Sequence, residues 1–228
     1  MRIPLTKYGW PQVAVFPAAV LLLMAVLPIG MVGFLGSGAI IAGEVILLAV
    51  LIWTLTFFRD PHRHCPSDGN LLLAPADGKI TDIEQVDESG FIDGPALRIG
   101  IFLSIFNVHI NRAPCRVRVE TITHKEGRYR NAMNPQSGRV NESNTLALVR
   151  TDHPQDRLVV RQISGAIARR IVCDTAEGEQ LTGGQKFGMI KFGSRTELVA
   201  PVRVELKCLV RIGDKVKAGL TPLMRYET

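Results

Sequence analysis

Residues 13–58 contain one charged side chain, Glu44, and this most restricts what the N-terminal part of the chain can become. Two apolar stretches, 13–35 and 39–58, each have about the 20 residues that a helix needs to cross a hydrocarbon layer. Gly36-Ser37-Gly38 between them is a turn signal. Arg2 and Lys7 precede the pair, Arg59, His62, Arg63 and His64 follow it, and the turn is uncharged. Positive charge on both flanks puts both on the cytoplasmic side. The reading is a hydrophobic membrane anchor over 1–58, a helical hairpin, with a cytoplasmic domain over 59–228. Pro17 and Pro28 should kink or shorten the first helix. With Glu44, they leave a shallow re-entrant pair as the alternative. A cleaved signal peptide fits poorly, because the first stretch is too long and has no small-residue cleavage site. Trp10, Trp53, Phe57 and Phe58 lie near the ends of the stretches, where headgroup anchoring and simple packing explain them equally.

The formal net charge is +6. A basic excess suits nucleic acid or an anionic membrane surface. Beside an apolar anchor it points to the membrane, with no nucleic-acid partner. The four cysteines, Cys65, Cys115, Cys173 and Cys208, form neither a Cys-x-x-Cys pair nor a zinc-ligand spacing. They read as inert thiols in a reducing compartment.

From Asn70 onward the pattern is of short strands and turns. Strands are expected over 71–74, 79–83, 96–103, 116–122, 146–150, 158–162 and 168–173. Another is expected over 202–210, where Val202, Val204, Leu206, Cys208 and Val210 share one face. No long period-3.6 segment follows residue 60. The expected class is mainly β, a sandwich or barrel. Residues 128–144, rich in Asn, Gly, Ser and Pro, read as a long loop. One internal echo stands out. The stretch 165–185 and the stretch 202–219 both run as a strand, then Gly-polar-x-apolar-x-x-Gly, then a strand. The echo resembles the hairpins of biotinyl/lipoyl-type domains and implies a duplicated β-sandwich.

Three residues could carry chemistry together. Ser194 follows Gly193, whose missing side chain permits a strained backbone. A serine hydroxyl needs a base, and His109, between an apolar strand and Asn111-Arg112-Ala113-Pro114, can serve near neutral pH. A carboxylate that orients the imidazole completes such a set, and Asp77 lies in Pro75-Ala76-Asp77-Gly78. Each also has an ordinary reading: a loop Gly-Ser, a core histidine, an Asp-Gly turn.

The motifs Phe58-Arg59-Asp60-Pro61, Ala74-Pro75-Ala76-Asp77-Gly78-Lys79-Ile80, Ser104 to Pro114, Asn141-Glu142-Ser143-Asn144 and Phe192-Gly193-Ser194 occur in this order after the anchor. Together they resemble phosphatidylserine decarboxylase proenzymes, particularly the short form, over essentially the whole chain. The resemblance implies that Asp77 orients His109 and that His109 deprotonates Ser194. Ser194 then attacks the Gly193 carbonyl, cutting the chain into 1–193 and 194–228. It implies a covalent pyruvoyl cofactor made from Ser194, which forms a Schiff base with the lipid amine, and no metal. The implied reaction turns phosphatidylserine in the bilayer into phosphatidylethanolamine, a step of phospholipid biosynthesis. The implied location is the cytoplasmic side of a bacterial inner membrane. The large and small chains should stay associated, and a homodimer is compatible with the resemblance. Phe106 and Asn141 are its candidate substrate contacts, and Arg112, Arg116, Arg128, Arg130 and Arg139 are candidate partners for anionic headgroups.

The chain also departs from that pattern. The longer bacterial form has Leu-Gly-Ser-Thr where this chain has Phe192-Gly193-Ser194-Arg195. Phe106 replaces a second histidine, and Ser143 stands where an arginine is typical. Two other readings compete. A membrane-tethered carrier would use Lys191, whose flanks are wrong for a modified lysine. A serine hydrolase would use Asp77, His109 and Ser194 directly, but lacks the Gly-x-Ser-x-Gly elbow.

Overall fold

The computed structural model describes residues 4–31, 33, 36–130, 133–134, 137–166, 170–191 and 193–227, with backbone alone at Met31, Ser137 and Arg139. Phe192 and the expected strand start at Ala168 fall outside these residues. The chain divides into two compact units, Met1–Pro61 and His62–Thr228.

The first unit is built on two helices, α1 (Gln12–Met31) and α2 (Ser37–Phe57). Both are long and apolar enough to cross a membrane, by length and composition. Leu21, Leu22, Leu23 and Val26 of α1 and Ile41, Val45, Ile46 and Leu48 of α2 are exposed. A helix apolar on all sides has no face suited to water. The helices pack as a hairpin, and a Cβ added at Gly43 would lie 2.9 Å from Leu27 Cδ2. Glycine there permits the close approach. α1 continues through Pro17 and Pro28, so the expected shortening does not occur. At the open end the strand-like flanks join, with Thr6 N–H donating to Phe58 O at 2.9 Å and Asp60 N–H to Pro4 O. The buried rings of Phe57 and Phe58 meet edge-on with centroids 5.0 Å apart. These two phenylalanines are packing residues, whereas Trp10 is exposed.

The second unit is mainly β. Its elements in order are β1 (Leu71–Leu73), β2 (Gly78–Glu88), β3 (Gly94–Leu103), β4 (Ile110–Arg112), β5 (Val117–Lys125), α3 (Ser137–Val140), β6 (Ser143–Arg150) and β7 (Arg157–Ser164). Then follow β8 (Arg170–Cys173), β9 (Gln180–Leu181), β10 (Lys186–Lys191), β11 (Ser194–Pro201), β12 (Leu206–Cys208), β13 (Lys215–Val216) and β14 (Pro222–Tyr226). An eight-stranded curled sheet has the order β13-β2-β3-β11-β7-β6-β5-β9, and two three-stranded sheets have the orders β1-β14-β12 and β4-β10-β8.

The sequence echo is a duplication of this structure. From its edge the large sheet reads β13-β2-β3-β11, and from the other edge β9-β5-β6-β7. The small sheets match in the same way. One copy is therefore β1–β3 with β11–β14, and the other, β4–β10, is inserted within it. Ala74-Pro75 precedes β2 as Ala113-Pro114 precedes β5. Gly178 and Gly184 in one copy, and Gly213 and Gly219 in the other, share a spacing and a positive φ. Left-handed turns of this kind favour glycine, which has no Cβ to clash.

An inserted copy means that the chain crosses between copies twice. The first crossing, 104–109, ends on His109; the second, between β10 and β11, contains Gly193.

The core lies on the inward face of the large sheet. Leu198 and Ala200 of β11, Leu158 and Val160 of β7, and Leu146 and Leu148 of β6 point into it, with Phe187, Leu223 and Met224 from the small sheets. β11 is central, pairing β3 on one side and β7 on the other. Its polar first half, Ser-Arg-Thr-Glu, hid it from a reading by alternation. The strand expected over 202–210 is a correction in the other direction. β11 ends at Pro201, a turn closes from Leu206 N–H to Arg203 O, and Leu206–Cys208 alone is strand. Val202 and Val204 are exposed. Residues 128–144, expected as loop, contain α3 and lead into β6 at Ser143.

Candidate active site

Ser194 is the first residue of β11, paired with Leu103 of β3 and Ser164 of β7. Its side chain follows the inward phase of Leu198 and Ala200. The residue is fully buried, and its Oγ has no hydrogen-bond partner among the described residues. A buried hydroxyl left unpaired costs roughly 1–3 kcal/mol, so its presence asks for a reason.

Gly193 supplies the local geometry. Its φ is +67°, and a Cβ there would meet nothing within 4 Å. The obstacle to a side chain is therefore backbone conformation, not space. An L-residue pays about 1–2 kcal/mol in this region, roughly a 5–30-fold population change. Gly193→Ala is expected to slow a cut at this bond by that factor, and Gly193→Asn by less. Quantifying cut and uncut chains on denaturing gels over time checks both.

His109 is fully buried where the first crossing meets β4. Its Nδ1 lies 3.0 Å from Asn107 O. A carbonyl oxygen only accepts, so this contact assigns the proton to Nδ1. Nε2 then carries the lone pair, and Gly193 N–H donates to it at 3.4 Å. The basic nitrogen thus lies at the N–H of Gly193, one peptide unit before the Gly193–Ser194 bond. Ile190 N–H donates to His109 O at 3.2 Å, tying the two crossings together. A backbone carbonyl, invisible to motif reading, sets the tautomer.

Asp77 sits in the turn before β2. Arg63 grips its carboxylate with two bonds, Nη1–Oδ1 at 2.6 Å and Nη2–Oδ2 at 2.8 Å. Ala218 N–H donates to Oδ1 at 2.8 Å, and Arg63 also donates to Ala218 O at 2.7 Å. Arg63 and the Ala218 amide, rather than the imidazole, therefore hold this carboxylate. The turn still lies beside His109's strand, since Arg112 N–H and Asn111 Nδ2 both donate to Pro75 O. Arg63→Ala would leave a buried carboxylate without its cation, and breaking such a pair typically costs about 3–5 kcal/mol. A lower urea midpoint, only partly restored by Arg63→Lys, is the expected result.

A polar wall begins at Thr196, two residues along β11 from the serine and on the same face. Asn111 donates to Thr196 Oγ1 at 3.0 Å, Gln162 donates to Asn111 Oδ1 at 2.9 Å, and Asn144 donates to Gln162 Oε1 at 3.0 Å. All four residues are buried. They join β4, β11, β7 and β6, so the core turns polar toward the serine end of these strands. The sequence reading quoted Asn111 and Asn144 within motifs but assigned no role to them, and missed Thr196 and Gln162. The available signal was polar residues occupying the inward phase of otherwise apolar strands.

The opposite face of β11 carries charge. Arg195 is fully buried, with Nη1 and Nη2 on the Asp82 carboxylate at 2.7 Å and Nε donating to Glu197 Oε1 at 2.9 Å. Burial pushes the Asp82 carboxyl up, but bonds and charge from Arg195, with Thr81 and Arg98, outweigh it and hold the group below its usual value. The lowered pKa gives stability above the ordinary value of 3.8, lost as pH falls through the folded-state value. Asp82→Asn should therefore show a shallower acid limb below about pH 4 in pH-dependent denaturation.

The remaining candidates divide by position. Phe106 is 69% exposed at the tip of the first crossing. Asn141 is buried; its side-chain Oδ1 accepts from Arg130 N–H and its Nδ2 donates to Arg130 O and, at 2.7 Å, to Ser164 O. It thereby pins the segment carrying Arg128 and Arg130, both exposed, at the Ser194 end of the sheet. Arg112 is buried and donates to Gly184 O at 2.9 Å, a structural contact. Arg116 precedes Val117, which pairs with Leu181 and Arg150 at the far end of the sheet from Ser194. The Arg139 side chain lies outside the described residues. Burial pushes the Cys115 thiol up to about 12, which makes it a poor nucleophile.

Comparison with known proteins bears on this geometry. Residues 50–223 match the family model described as phosphatidylserine decarboxylase. A protein from Symbiobacterium thermophilum named phosphatidylserine decarboxylase proenzyme is 40% identical over 226 residues, covering 99% of this chain and 97% of that protein. Proteins of the same name from Desulfotalea psychrophila and Chlorobium chlorochromatii are 42% identical over 178 residues and 39% over 224. These alignments cover 78% and 97% of this chain, and 81% and 100% of the respective relatives. The chain therefore belongs to the phosphatidylserine decarboxylase family, a family of decarboxylases.

Proposed function

We propose that this chain is a proenzyme that cuts itself between Gly193 and Ser194, and that the two chains together decarboxylate phosphatidylserine to phosphatidylethanolamine at a membrane. The observation that carries the proposal is the buried Ser194 hydroxyl, without a partner among the described residues, behind a left-handed glycine whose N–H donates to His109 Nε2.

The cut follows from these groups. In the proposed step His109 Nε2 gives up the Gly193 N–H and takes the Ser194 hydroxyl proton as Oγ attacks the Gly193 carbonyl carbon. The carbon–nitrogen bond breaks, the nitrogen takes up the proton, and an ester replaces the amide. Loss of the Ser194 Cα proton then expels Gly193 as a free carboxylate and leaves a dehydroalanine. Water adds to its imine tautomer, ammonia departs, and a pyruvoyl group heads the 194–228 chain. Asn107 O holds the imidazole in the tautomer this requires. Asp77, fixed by Arg63, is the carboxylate proposed to favour the imidazolium.

The residues present fit such a group. Position 194 has the inward phase of β11, and its hydroxyl has no competing partner among the described residues. The pyruvoyl would accept the electrons released when carbon dioxide leaves the serine headgroup. His109 is positioned to hold and return the proton. In this reading Phe106 meets the lipid, Asn141 contributes by pinning the 128–130 segment, and Arg128 and Arg130 meet anionic headgroups. A diacyl lipid leaves a bilayer at a cost of roughly 0.8 kcal/mol per CH₂, so the site works best at the surface. Helices α1 and α2 are proposed to hold the domain there, on the cytoplasmic side of a bacterial inner membrane.

The test supplies phosphatidylserine vesicles to purified enzyme and measures carbon dioxide and phosphatidylethanolamine. Equal amounts of both, with none from Ser194→Ala, support the proposal. A fully cut enzyme that releases no carbon dioxide from this lipid contradicts the substrate assignment.

A further inference from the structure

The first residue of a chain is ordinarily its least constrained, yet the proposed cofactor would be the first residue of 194–228. Before the cut, residue 194 is held by covalent bonds on both sides. After it, the link to β10 is gone. The conversion also replaces the Ser194 amide nitrogen with a ketone oxygen, so the residue can no longer donate to β3 or β7. Strand ends fray when such restraints are removed. Something else must hold position 194 if its carbonyl is to meet a substrate in one orientation.

The charged cluster behind β11 has the required placement. Arg195 is the next residue, and its guanidinium lies on the face opposite Ser194. It bonds Asp82 of β2 through both Nη atoms at 2.7 Å, Thr81 Oγ1 at 2.8 Å, and Glu197 of its own strand at 2.9 Å. Arg98 of β3 approaches both Asp82 and Glu197 at 3.9 Å, and Arg161 of β7 reaches Glu197 at 3.5 Å. The start of β11 is thus tied by side chains to β2, β3 and β7, all of which lie in the 1–193 chain. Gly100 of β3 is the vacancy that admits the guanidinium, since a Cβ there would collide with Arg195 Nη2 and with the Asp82 carboxylate. A planar fork on a carboxylate fixes orientation as well as distance, which a lysine cannot do.

We propose that Arg195, with Asp82 and Glu197, is a positioning clamp that takes over the role of the severed backbone and aligns the new chain start for decarboxylation. It rests on the self-cleavage reading above. The cluster touches neither substrate nor the reacting atoms; it acts through position 194. It also gives a physical meaning to the departure from the longer form, which has threonine after the serine.

The test compares the full chain, purified in detergent, as the cut wild type and cut Asp82→Asn, and as the uncut Ser194→Ala protein with and without Asp82→Asn. Urea titration reads small-chain release from the cut proteins and unfolding of the uncut ones. The clamp predicts a larger midpoint shift from Asp82→Asn in the cut protein than in the uncut one. It also predicts a kcat lowered about tenfold or more, with KM little changed, because misalignment affects the reacting step. Asp82→Glu should recover part of both. Equal shifts in cut and uncut proteins, or an unchanged kcat, would overturn the clamp and leave a merely structural ion cluster. If Asp82→Asn does not fold, Glu197→Gln is read in the same way. A wild-type chain that is never cut would instead overturn the self-cleavage reading, and its mass shows this before any variant is compared.

Discussion

Ser194→Ala is expected to leave the chain whole, at essentially its 25.0 kDa mass, with no decarboxylase activity and with undiminished stability. The combination is unusual for a buried position and follows from one observation. The Ser194 Oγ is buried without a hydrogen-bond partner among the described residues. Truncation therefore removes an unsatisfied group, which relieves a penalty of roughly 1–3 kcal/mol rather than breaking a bond. The proposed cut loses its nucleophile, and no pyruvoyl can form. Denaturing gels, urea titration and carbon dioxide release measure the three quantities separately. A cut Ser194→Ala protein would place the cleavage elsewhere, and a strongly destabilised one would mean that the hydroxyl has a structural partner.

His109→Ala should produce a folded precursor that cuts about 10²–10⁴-fold more slowly than wild type, the usual worth of a positioned general base. The expectation rests on where the imidazole nitrogens lie. Nδ1 is committed to Asn107 O, and Nε2 receives the Gly193 amide. A time course of intact precursor after synthesis gives the rate, and a thermal melt shows whether the precursor is folded. Cleavage at the wild-type rate would remove His109 from the reaction. Asp77 variants should behave differently, since that carboxylate is bonded to Arg63 and Ala218 and its loss disturbs their packing as well as any chemistry.

Much of this architecture is written in local patterns. The apolar stretches specify two helices because only a helix satisfies its backbone without water. Their ends were harder to read, since α1 tolerates both Pro17 and Pro28. The duplicated hairpins were visible because left-handed turns select glycine at fixed spacing, as at Gly178 and Gly184 and again at Gly213 and Gly219. Strand β11 was not visible. Its alternation is polar at both phases over Ser194–Glu197, because one side faces the polar wall and the other the ion cluster. Both are long-range arrangements, with partners on β2, β4 and β7. The reverse error, a strand over 202–210, came from a period-2 pattern that the turn at Arg203–Leu206 breaks. At the proposed site, motifs drew attention to Ser194, His109 and Gly193. They did not reveal that the inserted copy brings the two crossings side by side, that a main-chain carbonyl orients His109, or that Arg63 holds Asp77. Those facts depend on backbone atoms and on residues far apart in sequence.

The intact masses of the purified, denatured protein test the central claim most directly. The account predicts two chains that meet at Gly193 and Ser194. The smaller should be about 17 Da lighter than an unmodified 194–228 peptide, the difference made by loss of ammonia as serine becomes pyruvoyl. A single chain of about 25 kDa from protein shown to be folded, with no trace of the smaller fragment, would contradict it.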